Sequence, residues 1–264
     1  MRSRHTMRTT PHALTGAAAA AMYDLDGFRD GTWPLRWCTP RSGRWTNDAI
    51  RTDRWETSST STDLLVATPR LLLRHLGEWL EDLAIATDPV RPLERIELAV
   101  EHAVRLGLVS PTDLLVRGSS RSGDRVLREI VRWRADQPPT ESYAETRADQ
   151  RFREFGWRCW RQVPIYGPRG ETFNRVDFVY PYGRPRARPE LFRPGHGLII
   201  EIDSEEYHAA AFERDHRRQS TYDRLGYRWV SFTPRQIEHQ SALVRRTVEG
   251  VLGTSSPFVR RRAG

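Results

Sequence analysis

Three acidic side chains stand where strands should bring them together. In Arg175-Val176-Asp177-Phe178, alternation puts Val176 and Phe178 on one face and Asp177 on the other. In Ile199-Ile200-Glu201-Ile202-Asp203, Glu201 and Asp203 share a face, and Ile200 and Ile202 take the opposite one. If the two strands pair, Asp177, Glu201 and Asp203 converge at one end of a sheet. Carboxylates on so apolar a strand are expensive to bury unless a cation or strong donors meet them. Like charges this close favour a divalent metal, and oxygen-only ligands suit Mg²⁺ or Mn²⁺ rather than zinc. Asp203 can instead simply end its strand.

The elements that must position these residues follow from periodicity and punctuation. Gln137-Pro138-Pro139-Thr140 is the clearest boundary, because a double proline ends a helix. It divides an N-terminal α/β accessory domain (16–136), mostly helical with short strands, from a second domain over 141–254. Residues 1–15 read as disordered and 255–264 as a basic tail. In the first domain, Thr15 to Leu25 suits a short helix, and 32–66 suits small strands and turns. Thr68-Pro69 caps a helix whose face carries Leu72, Leu76, Trp79, Leu80 and Leu83. Further helices are expected from Pro92 to Gly107, from Ser110-Pro111, and from Asp124 to about Arg134. In the second domain, helix 142–155 precedes strands at 159–166, 172–180 and 198–203. A helix at 209–225, a strand at 227–232 and a last helix from the capping box Thr233-Pro234-Arg235-Gln236 follow. The order α-β-β-β-α-β-α specifies an α/β (α+β) fold with a mixed sheet flanked by helices.

Composition bounds the chemistry further. All 42 Lys+Arg residues of this 264-residue chain are arginine, so no lysine can form a Schiff base, serve a P-loop or catalyse. Of the net charge of +8, +6 lies in residues 141–264, which favours a polyanion there; a merely solvated surface is the plainer alternative. Cys38 and Cys159 make neither a disulfide framework nor a metal-ligand spacing, so a reducing cytoplasm is the expected setting. No apolar run approaches the roughly 20 residues of a membrane span.

The second domain carries a family resemblance. The pieces are Ser142-x-x-Glu145, Arg175-Val176-Asp177-Phe178, Ile200-Glu201-Ile202-Asp203 with Tyr207-His208, Arg214-Asp215-x-x-Arg218, and Leu225-Gly226-Tyr227. In that order, over residues 140–252, they resemble the restriction-endonuclease-like domains related to the very-short-patch repair endonuclease, within the PD-(D/E)xK nuclease superfamily. The resemblance implies metal-dependent hydrolysis of DNA phosphodiester bonds, as an endonuclease or nickase. Asp177 and Glu201 would hold Mg²⁺ or Mn²⁺, with the Ile202 carbonyl as a third ligand. Glu145 would bind the metal or orient a water, and His208 would act as base or stabilise the transition state. Arg175, Arg214, Arg217 and Arg218 would contact DNA phosphates, supported by Asp215.

Two departures stand out. Asp203 occupies the motif's lysine position, and Ser204 stands where relatives with an acid there carry glycine. An alternative follows: a nuclease fold that no longer cuts and only holds nucleic acid or a protein partner. Ser142-x-x-Glu145 is also an ordinary capping box, and Asp215 with Arg218 also an ordinary helical ion pair. In the first half, Thr15-Gly16-Ala17-Ala18-Ala19, the Thr68-Pro69-Arg70 helix start and residues 94–112 faintly resemble AbiEi-type antitoxin and regulator proteins. A homo-oligomer or a cognate protein partner stays open.

Overall fold

The computed structural model describes residues 12–29, 33–39, 50–57, 60–84, 90–116, 118–134, 137–167, 169–182, 197–203 and 218–253. The chain divides into two compact units, Met1–Ala135 and Asp136–Gly264. Each holds helices and a four-stranded mixed sheet.

In the first unit, β1 (Ala13–Thr15) leads directly into α1 (Gly16–Met22). β2 (Arg36–Cys38), β3 (Ile50–Thr57) and β4 (Thr60–Ala67) complete a sheet of order β2-β1-β4-β3. The expectation of disorder through residue 15 is thus corrected at Ala13–Thr15. Ala13, Leu14 and Thr15 are buried in the middle of this sheet, where burial offsets the entropy of ordering a terminus. Two eight-residue strands also make the unit less helical than its sequence suggested.

α2 (Pro69–Glu78), α3 (Pro92–Arg105) and α4 (Ser122–Arg134) pack the unit's core. The expected apolar face from Leu72 to Leu83 is real but not one helix. Trp79 leaves helical geometry at ψ 57°, and Leu80–Leu83 forms a separate 3₁₀ turn. The break lets the Trp79 ring sit on His75 (5.1 Å between centroids) and under the Arg36 guanidinium (5.5 Å). The helix expected from Ser110-Pro111 is only a turn, closed locally by Asp113 accepting from the Ser110 amide at 2.8 Å.

In the second unit, α5 (Tyr143–Glu154) is capped by Ser142, whose hydroxyl accepts from the Glu145 amide. It ends where Gly156 takes φ +79°, the left-handed geometry that only glycine adopts without strain. β5 (Trp160–Tyr166), β6 (Thr172–Pro181), β7 (Gly197–Ile202) and β8 (Arg228–Phe232) follow in sheet order. β5-β6 and β6-β7 are antiparallel; β7-β8 is parallel. Residues 218–224 are helical and form α6. The expected last helix is two: α7 (Pro234–His239) and α8 (Ser241–Gly253), parted at Gln240, which leaves helical geometry at ψ 42°.

The sheet separates two cores. Phe178, Leu198 and Ile200 pack with Phe152, Ile237 and Val244. Val176, Val179 and Ile199 pack with Val163 and Tyr222. Val176 and Phe178 therefore lie in different cores, against the alternation expected of them. The break falls at Gln162 and Asp177. The β5-β6 register passes from Arg161↔Phe178 to Val163↔Val176 without pairing the residues between them. Gln162 has φ +51°, so its backbone cannot continue the ladder.

Candidate functional site

Asp177 lies where the sheet opens on both sides. β5 skips it, and the β6-β7 register ends one residue away, at Phe178↔Ile200. The amides released there must find acceptors, and the two acids supply them. The Asp177 amide donates to Glu201 Oε2 at 3.1 Å, and the Ile202 amide donates to Asp177 Oδ2 at 2.8 Å. β6 and β7 are thus joined at this point through carboxylates rather than carbonyls.

Glu201 is only 3% exposed. The Tyr222 hydroxyl from α6 donates to its Oε1 at 2.9 Å, and Asn174 Nδ2 of β6 donates to that hydroxyl at 2.9 Å. Arg218, one turn before Tyr222, brings its guanidinium to 3.7 Å from both Glu201 and Asp203. Asp203 is thereby drawn into the site through Arg218, while its amide donates to the Phe232 carbonyl at 3.0 Å.

Glu145 enters from α5. Only half of the expected capping box forms: Ser142 Oγ accepts from the Glu145 amide, while the Glu145 carboxylate accepts from the Ser142 hydroxyl at 3.0 Å, from the Glu141 amide at 2.8 Å and from Gln162 Nε2 at 2.7 Å. It therefore holds the helix start, and it lies in the field of Asp177.

Burial dominates the electrostatics. Loss of water pushes the Asp177 carboxyl up to about 7, and the neighbouring Glu201 charge adds to the rise. Burial raises Glu201 as well, opposed by Arg218 and the Asp177 amide. Glu145 is raised by burial and by Asp177. The Tyr222 hydroxyl is raised by burial and by Glu201, so it remains a donor. Desolvation and repulsion between the two acids thus favour the protonated form, and Arg218 opposes it.

No protein family model, curated protein or solved structure matches this chain.

The remaining expectations divide. Arg175 is exposed and pairs with Glu141. The Ile202 contact at the site is through its amide. His208, Arg214, Asp215 and Arg217 lie outside the described residues. Among the described residues, no group of three or more His, Cys, Asp or Glu side chains could hold a metal ion. A two-carboxylate set still fits Mg²⁺, which is commonly bound by one or two carboxylates with waters and substrate phosphates completing six. Sequence reasoning missed Tyr222, Asn174 and Gln162. Tyr222 had a signal, one turn after Arg218 on the expected helix; a left-handed Gln162 had none.

Proposed function

We propose that the second unit is a restriction-endonuclease-like domain that hydrolyses DNA phosphodiester bonds with Mg²⁺ or Mn²⁺ at Asp177 and Glu201. The observation that supports this best is the carboxylate pair itself, Glu201 buried and Asp177 half-buried, adjacent and fixed by backbone amides where β6 is unpaired on both sides at Asp177. Buried acids that repel each other are poor structural elements, whereas cation sites require them.

A bound divalent ion would neutralise charge developing on the phosphate and acidify a water. The protein's own groups do the rest. The Ile202 amide and the Tyr222 hydroxyl fix one oxygen of each carboxylate, which sets the rotamers. Arg218 supplies fixed positive charge beside the pair, suited to a phosphate oxygen. In the reaction, water oxygen attacks phosphorus and loses a proton, the phosphorus–oxygen ester bond breaks, and the leaving oxygen gains a proton. Glu145, raised above its ordinary value by burial and by Asp177, is electrostatically linked to this site.

One observation favours the second reading, a nuclease fold that holds nucleic acid without cutting. Arg218 already places a cation between Glu201 and Asp203, the residue at the lysine position. Plasmid cleavage separates the two readings. The first predicts nicking or linearisation of supercoiled DNA with Mg²⁺ or Mn²⁺, abolished by Asp177→Ala and by Glu201→Ala. Cutting that survives in both variants overturns the assigned site, and no cutting by the wild type across metals leaves the binding fold.

A further inference from the structure

The first unit concentrates positive charge where packing does not call for it. α2 and α4 cross unusually closely. A Cβ on Gly123 would lie 2.0 Å from the Arg74 carbonyl oxygen, and one on Gly77 would lie 2.9 Å from the Gly123 Cα. Only glycine permits that approach. It brings Arg74 of α2 beside Arg121, which precedes α4, and both act on the same surroundings. Arg74 is lowered by burial and then by Arg121, with Arg70 adding to the effect. His75 is driven to about 4 by burial, Arg74 and Arg121, so it is neutral; its ring lies 2.7 Å from the Thr15 hydroxyl and 3.2 Å from Arg74 Nη2.

These guanidiniums are incompletely neutralised. The Arg74 Nε is buried without a hydrogen-bond partner, and its nearest ion-pair contact is Glu78 at 3.6 Å. Among the described residues, neither Arg70 nor Arg121 has a guanidinium ion pair or hydrogen bond. A cavity of about 190 Å³ opens at this point. Leu71, Leu114, Val116 and Leu127 give it an apolar lining, with Thr68, Arg70 and Arg74 at the start of α2. Thr68 caps α2 without a side-chain hydrogen bond, so first-turn amides add positive potential. Asp124 is the one acid in the lining, and its carboxylate is held by the Ser119 hydroxyl. Two arginines line the cavity against one acid, with Arg121 acting on Arg74 from beside it; over an apolar floor they match a ligand with an anionic head and a hydrophobic or planar body.

We propose that this cavity binds a phosphate group carried on a nucleotide, either a free mononucleotide or the phosphorylated end of a DNA strand. Arginine recognises phosphate by paired donors, and the leucine-rich floor accommodates the base or sugar.

The test is calorimetric titration of the full chain in EDTA with inorganic phosphate, dAMP and a 5′-phosphorylated eight-nucleotide strand. The variants are Arg70→Ala/Arg121→Ala, which removes two guanidiniums that make no ion pair among the described residues, and Asp177→Asn in the other unit. dAMP is expected to bind at least tenfold tighter than inorganic phosphate. That affinity is expected to fall at least tenfold in the double arginine variant and to stay unchanged in Asp177→Asn. A strand that binds tenfold tighter than dAMP, with the same arginine dependence, identifies the strand end as the ligand; equal affinities identify the mononucleotide. Three results overturn the proposal: no saturable binding of any probe, equal affinity in the double arginine variant, or binding lost in Asp177→Asn.

Discussion

At the scale of single residues, the account rests on Asp177 holding a proton more tightly than an ordinary aspartate. Its folded value near 7 lies above that of the unfolded chain. Its stabilising contribution is therefore complete below about pH 4 and is lost as pH rises through about 7. Without metal, the melting temperature of the wild type is expected to fall by a few degrees more between pH 5 and pH 8 than that of Asp177→Asn. Adding Mg²⁺ should raise the wild-type melting temperature at pH 8 more than at pH 5, because ion and proton compete for one pair. Scanning calorimetry of both proteins at the two pH values checks this; a pH response identical in Asp177→Asn contradicts it. Tyr222 gives a second prediction. Tyr222→Phe removes the donor to Glu201 and leaves a buried carboxylate oxygen under-bonded, which costs about 1–3 kcal/mol in urea denaturation. Positioning groups of this kind affect metal affinity or rate by about 10–100-fold, so plasmid cutting by Tyr222→Phe should fall within that span.

At the scale of elements, the decisive feature is a strand that breaks its own rules. The apolar runs of β6 and β7 were readable as strands because four to eight β-branched and aromatic residues bury efficiently in a sheet. The shared face of Glu201 and Asp203 followed from alternation alone. The face assigned to Val176 did not hold, because the interruption is made by Gln162 on a neighbouring strand, and a left-handed glutamine leaves no trace in hydrophobic pattern. The buried amide of Gln162 donates to Glu145, so the unfavourable backbone serves the site. Gln162→Ala keeps the strained backbone and loses that donor; it is expected to destabilise the second unit by about 1–3 kcal/mol, read by urea titration. A local effect explains the other misreadings. Trp79 and Gln240 each leave helical geometry where the expected helix was to run on; at Trp79 the ring packs on His75 and under Arg36. In the first unit, Gly123→Ala should cost about 1–3 kcal/mol by overpacking the α2-α4 crossing. An unchanged denaturation midpoint in that variant contradicts the close approach.

At the scale of the whole molecule, the arginines divide into two populations. Arg147 and Arg161 are buried within the second unit, where Arg147 bonds Gln150 and Arg161 bonds Asp149 at 2.6 Å. They act as core polar groups, so the basic excess in the sequence overstates the surface offered to a polyanion. The net charge of +8 still predicts salt-sensitive association. Contacts to about six phosphates would weaken DNA binding roughly a thousandfold between 50 and 200 mM salt. Among the described residues, no helix is long and apolar enough to cross a membrane. The central claim is that Asp177 and Glu201 together form a divalent-cation site, and titration calorimetry with Mn²⁺ at pH 7 tests it most directly. The account predicts one ion per chain, released protons seen as a buffer-dependent heat, and loss of both in Asp177→Asn. Mn²⁺ that fails to bind the wild type, or binds Asp177→Asn equally well with no proton release, contradicts it.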